Sequence, residues 1–397
     1  MAPYAPARFI DLHVLQPVPA SLLNRGEDNE PKSLLYGGVM RSMVSPQAWK
    51  RAIRLDMEQE LGEHAVRTRN LPLKVAEALT RAGWPTELAT FAGAQVARSA
   101  STSGLKIETA QKGITSALLY VRQDSLDQLT DLCQAHRQDL EEGLAEQQAA
   151  TTDKQEGKKT GKKDDSTPAV LPTKEVAAII KQRTATINLF GRMLTEIADA
   201  GVDGAVQIAP AFSVHQSDAQ PDYFTAVEDW SLPGQSGSAH LQTGFFTTGV
   251  LYRYTTVNLT ELIANLDGDH NRALHLLTLY ARTFIDSLPQ AKRTSTAPHT
   301  LPHLAHYTVR DRRPVSYAAA FERPVRHAHG GGHTRPATEA LCEHARQINR
   351  LLGTRHLVAA GHTTLDETPL DHLGTRHDSF DTVVDALTAA AAGKEAM

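Results

Sequence analysis

Cysteines, aromatic residues and long apolar runs are all scarce in this chain of 397 residues. Having only two cysteines, Cys133 and Cys342, argues against a disulfide framework and favours a reducing compartment, so we expect a cytoplasmic protein. No apolar run approaches the length of a membrane span, and MAPYAPARF lacks the core of a signal peptide. The sequence therefore predicts a globular protein that makes no membrane contact.

A charge excess of one sign is also missing. The formal net charge is −4, which gives no indication of a nucleic-acid partner. Net charge governs solubility, so a prediction of nucleic-acid binding has to rest on a local cluster of cations.

Such a cluster is present in residues 9–54. Phe9 to Leu15 alternates apolar and polar side chains, as a half-buried strand does. Ser45 stands where a helix N-cap is expected, and Pro46 occupies the first helical position. Six cations lie on the intervening loop and the helix: Arg25, Lys32, Arg41, Lys50, Arg51 and Arg54. Near a helix start, whose N–H groups point outward, they predict a phosphate-binding site, although a solvated helix face is the alternative.

The order of the predicted elements indicates an α+β fold. Strands are expected at Phe9–Leu15, Gly204–His215, Gly249–Leu259 and from His306, and helices from Ser45 and at Asn271–Leu288. This βαββαβ order is the ferredoxin-like split βαβ pattern, interrupted by a mostly helical insertion between about Met57 and Thr186. Two further helices are expected near residues 338–352 and 379–391.

Two segments read as surface features. Lys154 to Ser166 is polar and lacks an apolar anchor, which predicts a mobile loop. Gln216 to Ser238 is too long for a tight hairpin and predicts an insertion projecting from the sheet. Its aromatics, Tyr223, Phe224 and Trp230, either form a local core or are exposed for contact, and we expect the local core.

Several motifs together resemble one known family. They are LNRGEDNEPKSLLYGG followed by SPQAWKRAIR, GRM at 191–193, DYFTAVED at 222–229, SAHLQTGFFTTGVLYRYTTVNL at 238–259 and, more weakly, RPVSYAAAFERPV at 313–325. In this order they resemble the CasC family, the backbone subunit of type I-E CRISPR Cascade, within the RAMP superfamily. The motifs span most of the chain.

The resemblance implies an architecture shaped like a right hand. An RRM-like palm would comprise residues 1–56 and 187–397, and helical fingers would comprise 57–186 with a mobile loop at 151–168. A β-hairpin thumb would occupy 216–238. Copies would stack head to tail along the crRNA, together with other Cascade subunits, and present the guide for pairing with target DNA.

The resemblance also implies roles for individual residues. Those matching Arg25, Lys50 and Arg54 grip guide phosphates, with Lys32 and Arg41 in a stretch that matches less closely. In the family, a thumb folds over a kinked nucleotide. The residues at that place match Arg192, Met193, Tyr223, Phe224 and Thr225. Cations and apolar side chains can hold any guide, because neither reads the base sequence. No cofactor, metal or catalytic residue is expected.

Two other functions are possible from the sequence. Related RAMP subunits cut target RNA with an acidic residue after the first strand, and Glu27, Asp28 and Glu30 occupy such a loop here. A metalloenzyme would have to use the tract containing His327, His329 and His333, but no HExxH or CxxC motif accompanies it. We therefore expect an RNA-holding subunit, with endoribonuclease as the alternative.

Overall fold

The chain is divided into two compact units. The computed structural model describes residues 8–108, 113–156, 168–227 and 238–393. The first unit comprises Met1–Glu60 and Ala205–Met397, and the second comprises Leu61–Gly204.

The first unit contains most of the strands. Its elements before the second unit are β1 (Phe9–Ser21), β2 (Ser33–Tyr36), β3 (Val39–Val44) and α1 (Pro46–Leu61).

The second unit is mostly helical. It contains β4 (Ala65–Thr68), α2 (Leu71–Arg81), α3 (Thr86–Arg98), β5 (Leu119–Arg122), α4 (Ser125–Ala135), α5 (Arg137–Glu156), α6 (Thr173–Lys181) and α7 (Ala185–Phe190).

The chain then returns to the first unit. The remaining elements are β6 (Val206–Ile208), β7 (Ala211–Ser213), β8 (Gln220–Val227), β9 (Ser238–Asn258), α8 (Leu259–Asn265), α9 (His270–Asp286), α10 (Arg293–Thr296), β10 (Leu304–Arg310), a 3-10 turn (Ala318–Phe321), α11 (Thr334–Leu352), β11 (Leu357–Thr364), β12 (Thr375–Arg376) and α12 (Phe380–Ala391).

One mixed sheet organises the first unit. Its strand order is β12-β11-β10-β1-β9-β7-β3-β2, and β6 and β8 also pair with β9. β1 lies between β9 and β10 and is antiparallel to both, with Phe9 opposite Asn258 and Arg310. β1 has a neighbour on each side and is buried along most of its length.

The sheet is larger than the sequence predicted. The strands β2, β3, β11 and β12 extend it at both ends. The strand expected at Gly204–His215 is two short strands, β6 and β7, with Pro210 between them. Proline has no N–H group to donate to a ladder, so a single continuous strand is disfavoured at this position.

On one face of this sheet, apolar side chains and one buried arginine meet α1 and α9. The Arg253 guanidinium lies 4.0 Å from the ring centroid of Trp49 and 4.7 Å from that of Phe284. It donates to Gln16 Oε1 at 2.7 Å and to the carbonyls of Phe284 and Ile285 at the end of α9. Burial lowers the pKa of Arg253 to about 9, yet its bonds to oxygen offset that cost and cap the helix.

The opposite face is also buried, but beneath polar side chains. The Asp11 carboxylate accepts bonds from the Tyr254 hydroxyl at 2.9 Å and the Val315 N–H at 3.0 Å, and Arg310 Nε lies 3.8 Å away. Burial raises the pKa of Asp11 to about 6. Residues of α11 and of the 3-10 turn, among them Leu341 and Phe321, share a hydrophobic core with this face.

Three buried histidines form a row across this face. His13 is opposite His306, and His306 is opposite His362, in adjacent antiparallel strands. His306 Nδ1 donates to the Gly361 carbonyl at 2.9 Å, and His13 Nδ1 lies 2.9 Å from the Tyr252 hydroxyl. Burial lowers the pKa of all three, that of His306 to about 3. The folded protein therefore holds them as neutral imidazoles.

The second unit has its own core and extends further along the chain than the predicted insertion. Leu194, Ile197 and Ala200 pack in its hydrophobic cluster together with Cys133, which accounts for its continuation to Gly204. The helix α5 reaches Glu156, so the start of the predicted loop is helical. The rest of that loop, 157–167, lies outside the described residues.

None of the helices in the described ranges is long and apolar enough to cross a membrane.

The histidine row predicts a loss of stability in acid. Histidines with a lowered folded-state pKa favour folding above pH 6.5 and oppose it as the pH falls, by about 1.4 kcal/mol per pH unit for each residue. Asp11, with its raised pKa, has the opposite effect on stability between about pH 6 and pH 4. It is a single group, so it offsets the contribution of only one of the three histidines. The free energy of unfolding, measured by urea denaturation, should therefore fall between pH 7 and pH 5.

His306→Gln removes one side chain that takes up a proton in the unfolded chain but not in the folded protein. The decline in the free energy of unfolding should therefore become shallower. The exposed His299 supplies the matched control, and His299→Gln should leave the pH dependence unchanged. An unaltered slope in His306→Gln would contradict the assignment of a buried neutral imidazole at this position.

Candidate RNA interface

The start of α1 is fixed by the loop that carries the predicted cations. The helix begins at Pro46, as predicted. The Asn24 side-chain oxygen accepts the Ser45 N–H at 2.8 Å, and the Ser45 carbonyl accepts the Ala48 N–H at 3.0 Å. Asn24, which the sequence did not single out, therefore ties the loop to the helix start.

Packing of α1 decides where its cations point. Trp49, Ile53 and Met57 are buried and fix the inner face of the helix. Arg51 is exposed and Lys50 is half-buried at the edge of this face. These two positions lie in the second turn of the helix, close to its N-terminal end.

Arg54, predicted to share a face with Lys50, is turned along the helix instead. Its guanidinium donates to both carboxylate oxygens of Glu58 at 3.1 Å. Glu58 is almost completely buried. An arginine held in this way by a buried carboxylate is positioned by the helix and retains little net charge for a phosphate.

The loop places Arg25 at the surface. Its guanidinium donates to Asn29 Oδ1 at 3.1 Å, and Asn29 adopts a left-handed backbone with φ of 61°. The loop closes through a bond from the Lys32 N–H to the Asn24 carbonyl at 3.0 Å, which leaves Lys32 half-buried. Arg25, Lys50 and Arg51 are thus carried by one short loop and the helix that follows it.

Arg41 has a structural environment. Its guanidinium is fully buried and donates to the carbonyls of Ser213 and Phe321 at 3.0 Å and of Tyr36 at 3.2 Å. Burial lowers its pKa. In this structure Arg41 joins the β2–β3 hairpin to β7 and the 3-10 turn, and its donors are not available to a phosphate.

Arg192, in the second unit, is buried in a similar way. Its guanidinium donates to five main-chain carbonyls, those of Tyr120, Ile180, Lys181, Gln182 and Ala200, at 2.8–3.3 Å. Burial lowers its pKa to about 10. The neighbouring Met193 is 90% exposed. Of this predicted pair, only Met193 is accessible to a ligand in the described structure.

The predicted thumb is a hairpin in which β8 pairs with the first part of β9. Phe224 is opposite Gln242 and Tyr223 is opposite Thr243. Tyr223 is 66% exposed and Phe224 is 39% exposed, so the local core expected from the sequence does not enclose them. The Phe224 ring lies beside Gly244 of the paired strand. Trp230 lies outside the described residues.

Tyr223 and Phe224 project from opposite faces of β8, because successive side chains alternate along a strand. Thr225 is exposed on the same face as Tyr223. A base stacked on this hairpin can therefore use one aromatic side chain at a time.

The histidine tract packs against His215 by ring stacking. His333 stacks on His215 with 3.8 Å between ring centroids, and His327 is 6.2 Å from His333. His215 Nδ1 donates to the Gln216 carbonyl, while Nε2 accepts the Val250 N–H. Within the described ranges no three His, Cys, Asp or Glu side chains are grouped to hold a metal ion.

The environment of Arg41 predicts that its loss affects folding first. Arg41→Met leaves at least three buried carbonyls without a donor, so the free energy of unfolding should fall by roughly 3 kcal/mol or more. Arg25→Met, a matched change at an exposed arginine, should shift it by no more than about 0.5 kcal/mol. Urea denaturation measures both. Wild-type stability in Arg41→Met would show that these bonds contribute little.

Comparison with known proteins identifies the family. The model of the CT1975-like protein family matches residues 10–386. No curated protein sequence matches the chain.

Solved structures agree with the family match. A chain of a structure described as a CRISPR RNA-guided surveillance complex, pre-nicking, is 36% identical with a TM-score of 0.85, and the match covers 96% of this chain and 100% of that one. A chain of another CRISPR RNA-guided surveillance complex is 32% identical with a TM-score of 0.74, and the match covers 96% and 99%. The resemblance to a CRISPR Cascade subunit is thereby confirmed, and the chain belongs to the CT1975-like protein family.

Proposed function

We propose that this chain is a crRNA-binding backbone subunit of a type I-E Cascade complex. It holds the guide through its phosphates, stacks head to tail with other copies and presents the guide bases to target DNA. The observation that carries this proposal is the cluster of Arg25, Lys50 and Arg51 on the loop and first turns after β1, in a chain that belongs to this family.

The strand order supports the assignment of the first unit as the palm. The four strands β10, β1, β9 and β7 lie side by side in that order, each antiparallel to its neighbour. This is the order of a split βαβ fold, in which α1 and α9 are the two crossover helices. By the same reading, the second unit corresponds to the fingers and the β8–β9 hairpin to the thumb.

Burial of the sheet determines where RNA can bind. RRM domains stack bases on aromatic side chains of the sheet face that lies opposite their helices. Here the corresponding positions Asp11 and His13 are fully buried. We therefore propose that RNA runs along the rim of the sheet, where the loop after β1 and Arg51 of α1 are exposed.

The rim cations are suited to binding without sequence preference. Lysine and arginine neutralise phosphates without contacting base edges, which lets one protein accept every guide. Arg25, Lys50 and Arg51 form the proposed phosphate set, with Lys32 at its edge. Arg54 lies beside this set but is paired with Glu58. The buried Arg41 and Arg192 stabilise the fold instead.

The salt dependence of RNA binding tests the phosphate set. Each phosphate contact adds about −0.7 to the slope of log K against log salt for a single strand. Lys50→Gln/Arg51→Gln should weaken binding to single-stranded RNA and make this slope shallower by roughly 1.4. Fluorescence anisotropy at salt concentrations from about 50 mM to about 300 mM measures both quantities.

Arg335→Gln/Arg346→Gln is the matched control. Both arginines lie on α11 and pair with glutamates, Arg335 with Glu339 and Arg346 with Glu343. This control should retain the wild-type slope. If both double variants keep the wild-type affinity and slope, the rim is not the phosphate site.

We also propose that the chain holds RNA without cutting it. Glu27, Asp28 and Glu30 are exposed on the loop, where the Gly26 N–H donates to the Glu30 carbonyl at 2.8 Å. Their position among rim cations fits local charge balance. Labelled complementary RNA, incubated with the guide complex and divalent metal, should stay intact. Cleavage that Asp28→Ala abolishes would favour the endoribonuclease instead.

The thumb is proposed to position bases. Phe224 is apolar and half-exposed, so it contributes little to phosphate affinity, while stacking on one base is worth about 1–3 kcal/mol. Phe224→Ala should leave guide retention close to wild type and weaken pairing with a target strand, measured by filter binding on preassembled complexes.

Tyr223→Ala tests the opposite face of β8 in the same assay, because the two rings project from opposite faces of the strand. If Phe224 only stabilises the hairpin, its loss should reduce assembly on the guide as well as target pairing. Wild-type target pairing in Phe224→Ala would exclude a role in presenting bases.

A further inference from the structure

The strand pair β10–β11 ends in a basic surface on one side. Asp311 and His356, which follow β10 and precede β11, bond through Asp311 Oδ1 and His356 Nδ1 at 2.9 Å. This contact brings Arg312 and Arg355, both exposed, to the same end of the strand pair. Among the described residues, no ion pair joins either arginine to a carboxylate.

Exposed apolar side chains accompany these arginines. Leu351 at the end of α11 is 80% exposed, and Val358 at the start of β11 is exposed as well. Arg313, adjacent to Arg312, is also exposed. We call Arg312, Arg313, Leu351, Arg355 and Val358 the basic end.

The other end of the same strand pair has an acidic surface. The Leu365 N–H donates to the His303 carbonyl at 3.0 Å, which brings the exposed Leu301 and Leu365 to the same end of the strands. Leu365 is 75% exposed. The exposed Glu367 and Asp371 follow on the same loop. We call Leu301, Leu365, Glu367 and Asp371 the acidic end.

One exposed cation, Arg376, also lies at the acidic end, so the excess of negative charge there comes from Asp366, Glu367 and Asp371. The carboxylate of Asp366 is bonded to His303 at 2.9 Å, and Arg376 donates to the carbonyls of Asp366 and Glu367. Burial first, and then the carboxylates of Asp366, Glu339 and Asp371, raise the pKa of Cys342 to about 11. These acids therefore gather around one end of the strand pair.

The two ends cannot meet within one chain. β10 runs for seven residues from Leu304 to Arg310, in register with β11 from Thr364 to Leu357. At about 3.4 Å per residue, the ends lie about 20 Å or more apart. Because the two surfaces face opposite ways along one strand pair, they can contact each other only between different molecules.

We infer that the basic end of one copy binds the acidic end of the next. This inference rests on the proposed function in one respect, since it assigns surfaces to the association of copies along a guide. The partner is a second copy of this chain, because the chain itself presents the complementary charge around an apolar centre.

The character of the two surfaces explains how such contacts would behave. Apolar side chains at the centre contribute burial, and charges around them set register and association rate more than affinity. Because the two surfaces differ, the contact is heterologous and extends without closing. Exposed ion pairs contribute little individually, so we expect association to be weak without RNA and strong when a guide holds the copies side by side.

Charge reversal at each end tests the pairing. Arg312→Glu/Arg355→Glu makes both ends acidic, and Glu367→Lys/Asp371→Lys makes both ends basic. Neither variant can then pair with itself, but a mixture restores opposite charges at every contact. Lys74→Glu/Arg81→Glu, two exposed cations of the second unit, is the control with the same charge change as the first variant.

RNAs of two lengths distinguish a defect in contact between copies from a defect in RNA binding. Anisotropy with an RNA long enough for one copy measures binding alone, and mass photometry with a long RNA measures assembly. Each reversed variant should bind the short RNA as wild type does and require at least about tenfold more protein to assemble on the long RNA, which corresponds to about 1.4 kcal/mol per contact. The equimolar mixture should recover to within about twofold of wild type, and the control should assemble normally.

Either of two results would overturn the inference: assembly of a reversed variant alone at wild-type concentration, or a mixture that fails to recover although both variants bind the short RNA. Failure of every protein, wild type included, to bind the short RNA would refute the proposed function instead. In that case sedimentation velocity of the mixed variants at high concentration, without RNA, still tests the two surfaces, and self-association of the mixture but not of each variant alone is the expected result.

Discussion

The sheet of the first unit is covered on both faces, and the Asp11 carboxylate shows how. This side chain of β1 is buried, accepts hydrogen bonds from Tyr254 and Val315, and lies near the Arg310 guanidinium. Replacing water with these partners allows a polar row to be buried beneath α11 and the 3-10 turn. The central strands β1 and β10 are buried on both faces, whereas the loop after β1 and the β8–β9 hairpin carry exposed side chains.

The arginines fall into two groups, one buried and one exposed. Arg41, Arg192 and Arg253 are buried and donate to main-chain carbonyls, so their charge stabilises the fold. Arg25 and Arg51 are exposed on the rim, where cations can neutralise phosphates. An arginine has five donors in a fixed fork, which explains why it serves in both places and why sequence cannot distinguish the two uses.

The elements with a strong local signal could be predicted from the sequence. The start of α1 at Pro46, the amphipathic helix α9 and the helix α12 after Ser379 all lie where pattern and capping residues placed them. Short edge strands such as β2 and β12 were missed, because four or two residues carry too little periodicity. The burial of Arg41 and Arg192 was missed because their carbonyl partners, such as Phe321 and Tyr120, are distant in sequence.

The central claim is that RNA follows the rim and not the face of the sheet. Ultraviolet crosslinking of a guide substituted with 4-thiouridine, followed by mass spectrometry of the linked peptides, tests it most directly. We expect crosslinks in residues 24–54 and in the β8–β9 hairpin, and none in the strand segment 9–15. Crosslinks to the α11 surface or to segment 313–325, without any in 24–54, would contradict it.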